Sequence, residues 1–77
     1  MRFPENTDIF VNNLCFLRKK YAMSQRTLAS LTGISLPILR MIERREVQPR
    51  LSQPLVERLC RIFDVTPTAL LESDLIP

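Results

Sequence analysis

The chain has 77 residues, 45% of them hydrophobic, and a formal net charge of +3. This length suits one domain whose core is just large enough to fold without metal or crosslinks, and the apolar content excludes disorder. Histidine is absent and the two cysteines, Cys15 and Cys60, stand far apart without Cys-x-x-Cys spacing, which leaves no zinc ligand set and no general base near neutral pH.

The N-terminal "MRFPENTDIF" has neither an apolar signal core nor a small-residue cleavage site, and no apolar run approaches the length of a membrane span. The expectation is a cytoplasmic protein with no membrane partner, no enzymatic activity, no cofactor and no metal. A first helix is predicted over about 8–21, with Phe10, Leu14, Leu17 and Tyr21 at helical spacing. Arg18, Lys19 and Lys20 stand near its C-terminus, where positive charge is favoured. Cys15, like Cys60 later, falls in an apolar-periodic segment and reads as a small buried hydrophobe.

Four further helix starts share one pattern. Met23-Ser24 is followed by Leu28, Ile34-Ser35 by Leu39, Leu51-Ser52 by Val56, and Val65-Thr66 by Leu70. Each Ser or Thr is placed to accept from a free first-turn amide, and the apolar residue before it is placed to meet the one at the fourth helical position. The predicted helices run over about 25–31, 36–44, 53–63 and 67–72. Pro37, Pro54 and Pro67 all fall in first turns, where the missing amide hydrogen removes no intrahelical bond. The chain's single glycine, Gly33 in "LTGIS", sits in a turn of about three residues, where a left-handed backbone is nearly free for glycine alone. No segment alternates with the period of a strand, so the fold class is all-α, with five helices in one domain.

Charge is unevenly spread. Between Arg18 and Arg61 ten basic residues face three acids, a local excess of +7, whereas the two ends carry Arg2 against Glu5, Asp8, Asp64, Glu72 and Asp74. A basic middle between acidic ends suits a polyanionic partner.

"LRKKYAMSQRTLASLTGISLPILRMIERREVQP" followed by "LVERLCRIFDVTPTALL" resembles the lambda-repressor-like helix-turn-helix family, of the Cro, phage-repressor and xenobiotic-response-element type, from about Phe10 to Leu71. The resemblance implies a compact five-helix DNA-binding domain with helices two and three as the helix-turn-helix. It places Leu28, Leu31, Ile34, Leu39 and Ile42 in the core, Ala29 at the close crossing of those helices, and Arg18 and Glu43 in an ion pair. It further implies that Gln25 holds a phosphate at the second helix's start, with Arg26 and Ser35 in the same contact set. Leu36, Pro37, Ile38, Arg40 and Met41 then face bases or the groove wall, and Arg44, Arg45 and Arg50 meet flanking phosphates.

Two departures stand out. Leu36 and Pro37 occupy positions where many relatives carry base-bonding polar residues, leaving apolar contact with thymine methyls, Arg40, and DNA shape as means of readout. Arg45 stands where the family often has glycine, so either that residue takes a less helical cap or the third helix runs longer. The expected function is a sequence-specific transcriptional regulator, a repressor, binding double-stranded DNA as a homodimer on a two-fold-related operator without a small-molecule ligand. Phe63, Leu70, Leu71, Leu75 and Ile76 are candidates for the dimer seam, with Phe63, Leu70 and Leu71 equally assignable to the core. The alternatives are a protein-interaction module using the patch around Leu36, Pro37, Ile38 and Met41, and a DNA-binding antitoxin or controller protein.

Overall fold

The computed structural model describes residues 7–76. Among them the chain forms five helices and no strand: α1 (Asp8–Lys20), α2 (Gln25–Thr32), α3 (Leu36–Glu43), α4 (Gln53–Phe63) and α5 (Pro67–Glu72). Arg2 and Glu5, which enter the charge pattern above, lie outside the described residues. α1 packs along α5, α2 packs against α3, and α4 meets α2 and α5. Phe10, Leu14 and Leu17 from α1, Leu28 and Ala29 from α2, Leu39 and Ile42 from α3, Val56, Leu59 and Phe63 from α4 and Leu70 from α5 share one apolar core.

Three of the four hydroxyl caps form. Ser24 accepts from the Thr27 amide, Ser52 from Leu55 and Thr66 from Ala69. Ser35 has the extended backbone of a cap, and its carbonyl accepts from the Leu39 amide, but its hydroxyl makes no cap bond. That side chain is exposed, so water takes the place of the amide at little cost. The apolar partners behave alike at all four starts: Met23, Ile34 and Val65 pack against the core and Leu51 lies within it, as do Leu28, Leu39, Val56 and Leu70.

Leu31 is not in the core; 45% of it is exposed. The buried stripe of α2 is Leu28, Ala29 and Thr32, because the Thr32 hydroxyl can donate to the Leu28 carbonyl at 2.8 Å and enter the interior satisfied. Tyr21 likewise falls past the end of α1, half-exposed, with its ring stacked on Phe63 at 5.8 Å. Cys15 and Cys60 are free and half-buried rather than enclosed. Burial, followed by the nearby charge of Glu43 for Cys15 and of Glu57 for Cys60, pushes both thiols up.

Asn13 is fully buried on the apolar stripe of α1. Its amide donates to the carbonyls of Leu70 at 2.9 Å and Ser73 at 2.7 Å, and its oxygen accepts from the Leu75 amide at 3.0 Å. A buried amide is tolerated only when its donors and acceptor are matched in this way, and here the match fastens the C-terminal segment to α1.

Helix ends use left-handed residues repeatedly. Gly33 closes α2 with φ +78°, and Ala22, Arg45 and Asp64 take the same region with φ of 53°, 62° and 54°. After α1, α3 and α4 the next amide reaches back five residues, from Met23 to Arg18, Glu46 to Met41 and Val65 to Cys60, so otherwise unpaired carbonyls are satisfied.

One charged contact fixes how these helices meet. Arg18 donates from Nε to Glu43 Oε2 at 2.8 Å and from Nη2 to Oε1 at 2.9 Å, while its Nη1 donates to the Met23 carbonyl at 2.9 Å. The two side chains are 13% and 7% exposed, so the pair is largely desolvated and removal of one partner strands the other. Burial pushes the Glu43 carboxyl up, but hydrogen bonds from Arg18 and Gln25 and the Arg18 charge outweigh it and hold the group below its ordinary value.

Two outcomes are expected. A Cβ at Gly33 would meet Arg58 Nη1 at an unstrained 3.8 Å, so the cost of Gly33→Val should come chiefly from the backbone, on the order of 1–3 kcal/mol, whereas Ala22→Gly should stabilise by about 1 kcal/mol. Thermal unfolding of both variants checks the pair; an unchanged Tm for Gly33→Val would contradict it. Because the folded-state pKa of Glu43 is depressed, its contribution is complete above the ordinary carboxylate value of about 4.3 and is lost as pH falls through the folded value. Glu43→Gln should therefore be destabilised at neutral pH by about 3 kcal/mol and converge with the parent in acid, as followed by Tm against pH.

Candidate nucleic-acid interface

At 100° per residue, the buried side of α3 is set by Leu39 and Ile42. The outward stripe is then Pro37, Arg40, Met41 and Arg44, with Leu36 and Ile38 at its two edges. Exposure follows this geometry: Pro37, Ile38, Arg40 and Arg44 are exposed, Met41 is half-buried, and Leu36 is half-buried against the core. Leu36 is thus placed at a margin, and the centre of the face belongs to Pro37, Arg40 and Met41.

The start of α2 lies beside the end of α3, where Gln25 Nε2 donates to Glu43 Oε1 at 3.0 Å. The carboxylate that grips Arg18 therefore also orients Gln25. Ser24 occupies the Thr27 amide at 3.0 Å, and among the described residues the backbone amides of Gln25 and Arg26 have no acceptor. Two free amides and an oriented carboxamide at the positive end of a helix form an arrangement suited to an anion. The Arg26 side chain and the Ser35 hydroxyl are exposed nearby in sequence, at the two ends of the α2 and turn segment.

The basic side chains divide into two sets. Among the described residues Arg26, Arg40 and Arg50 are exposed and make no ion pair or hydrogen bond with another side chain. Arg44 is paired with Glu46, Nε to Oε2 at 2.9 Å, but both side chains are about half-exposed or more, so the pair is weak and exchangeable. Arg45 is turned back onto the protein: Nη2 donates to Asn12 Oδ1, Nη1 to the Glu43 carbonyl at 3.2 Å, and Nε lies 4.0 Å from Asp8 Oδ1.

Two seam candidates take their alternative place in the core. Phe63 is 1% and Leu70 0% exposed, because α4 and α5 turn them into the common core. Leu71 and Leu75 are partly buried against that core, and only Ile76, 46% exposed, faces outward freely. The contributions missed from sequence are Asn12 and Asn13; the left-handed backbone of Arg45 is the less helical cap that its place at a family glycine position offered, and α3 does not run longer. The visible signal for Asn13 was its position three residues after Phe10 and four before Leu17, a polar residue on an apolar stripe.

No three His, Cys, Asp or Glu side chains among the described residues come together as a metal site, and no described helix is long and apolar enough to cross a membrane. Comparison with known proteins finds the helix-turn-helix family model matching residues 16–70. No curated protein and no solved structure gives a match. With Gln25 and Gly33 opening and closing α2, α3 presenting an outward face beyond that turn, and the family model spanning all of these elements, the chain belongs to the lambda-repressor-like helix-turn-helix family, whose members are DNA-binding regulators.

Proposed function

We propose that the protein binds double-stranded DNA in the cytoplasm as a transcriptional repressor, with α3 in the major groove and the start of α2 against the phosphate backbone. The observation that carries this reading is the single carboxylate of Glu43, which holds Arg18 of α1 and Gln25 of α2 to the end of α3 and so presents an anion-binding helix start and an outward helix face in one fixed register. Arg26, Arg44 and Arg50 supply sequence-independent attraction to phosphates, Arg44 by exchanging Glu46 for phosphate. Ser35 adds a free hydroxyl at the start of α3.

Sequence is read by few groups. Arg40 carries the only hydrogen-bond donors in the middle of the α3 face, and Pro37, Ile38 and Met41, with Leu36 at the edge, offer apolar contact suited to thymine methyls. One such helix covers too few base pairs for a specific site, so the active form is a homodimer on a two-fold-related operator, its recognition helices about 34 Å apart. Leu71, Leu75 and Ile76 remain as seam residues. The apolar character of the α3 face supports a second reading, in which Pro37, Ile38 and Met41 dock on a protein.

Arg44→Ala and Arg50→Ala should weaken binding to specific and random duplex alike and each lower the salt slope by about 1, whereas Arg40→Ala should cost about 1–3 kcal/mol and relax preference at one position of the half-site. Binding titrations at several salt concentrations, followed by site selection, separate the two classes; a changed preference at constant salt slope in Arg50→Ala would overturn its phosphate role. Replacing thymine by uracil in the selected site should weaken binding at one or two positions per half-site, since only the methyl group is lost. Uniform indifference to uracil, together with loss of a protein contact in Met41→Ala, would favour the docking reading.

A further inference from the structure

Arg45 combines two features that oppose each other. It takes a left-handed backbone, which disfavours any residue with a Cβ, and its long side chain, though 45% exposed, is laid against the first turns of α1. The guanidinium fork donates to two acceptors on two elements, Asn12 Oδ1 of α1 and the Glu43 carbonyl at the end of α3, with Asp8 Oδ1 of α1 at ion-pair range, 4.0 Å. A glycine would remove the backbone cost but carry no fork, and a lysine would present one ammonium in place of the planar set.

We infer that Arg45 is a positioning residue, a strut that ties the segment between α3 and α4 to α1, and not a phosphate contact. The segment it holds contains Arg44 and Arg50, so the strut sets where those two cations stand relative to α3. This role rests on the DNA-binding reading for its effect on affinity, but the strut itself belongs to the free protein and is tested there. Geometry separates Arg45 from its neighbours: among the described residues Arg50 meets no partner, Arg44 meets only Glu46 two residues on, and Arg45 alone of the three reaches a helix more than thirty residues away in sequence.

The test compares Arg45→Ala, Arg45→Lys and Asn12→Ala, first by hydrogen exchange of the Glu46 amide, which donates to the Met41 carbonyl, in the free protein. All three should lose protection there, roughly two- to fivefold, the scale of an exposed charged contact, while amides of α4 keep theirs. Random duplex DNA then serves as the second probe. Arg45→Ala and Asn12→Ala should weaken binding by similar factors with the salt slope unchanged, and the double variant should be no weaker than either single one. A salt slope lowered by about 1 in Arg45→Ala, with Asn12→Ala behaving like the parent, would make Arg45 a phosphate contact and overturn the strut. Unchanged exchange in all three variants would overturn it as well. If none of the proteins binds DNA while the exchange differences persist, the DNA reading fails and the strut stands.

Discussion

The Glu43 carboxylate is the constraint on which the rest depends. It accepts two bonds from Arg18 and one from Gln25, and each donor belongs to a different helix. Desolvating such a pair offsets much of its attraction, so its principal effect is on geometry: helices that would slide over a purely apolar core are held at one setting. The apolar residues around it provide the stability. Leu28 and Leu39, both fully buried, contribute roughly 2 kcal/mol each by leaving water, without specifying which face of α3 points outward. Burial and charge thus divide the work between magnitude and direction.

That outward face is chemically unusual for a reader of bases. At its centre the donors are those of Arg40, with Arg44 at the C-terminal end of the stripe, while the segment from Arg18 to Arg61 carries an excess of seven positive charges. In the proposed function, long-range attraction and short-range discrimination fall to different residues. Charge would bring a duplex to the surface at a rate sensitive to ionic strength, and the apolar stripe would act only once the groove is within van der Waals reach. With so few polar contacts to bases, sequence-dependent groove width and bendability carry a larger share of selectivity in the DNA-binding reading.

Much of the fold was legible because local rules agree with one another in this chain. Ser24, Ser52 and Thr66 announce helix starts through chemistry confined to four residues, and Gly33 announces a turn through the one backbone region it alone enters freely. What stayed hidden depends on three-dimensional context. The choice of Thr32 over Leu31 for the interior follows from a hydroxyl that can bond to its own helix, and composition ranks leucine first. Ala22 and Asp64 enter left-handed space where the next amide reaches back to a distant carbonyl, a demand invisible in the residue itself, whereas Arg45 was marked by standing at a family glycine position. At the candidate interface, the basic residues could be found from charge alone, but not which of them meets partners within the chain: Arg45 and Arg50 look equivalent by charge, and Arg45 alone of the two bonds to Asn12 and the Glu43 carbonyl. Least legible was the division of apolar residues between core and any seam, since Phe63 and Leu70, which lie in the core, satisfy the requirements of both equally well.

The clasp made by Asn13 has a kinetic side. Its bond with the Leu75 amide closes a loop of 62 residues, nearly the length of the described chain. Loop-closure entropy grows only with the logarithm of length, so the finished contact is little weakened by that span. The search for it is slow, however, and contacts of this separation form after local ones. α2 and α3, joined by a three-residue turn, are therefore expected to pair before α1 meets α5, and a chain emerging from synthesis cannot cover the buried face of α1 until α5 and Leu75 have been made.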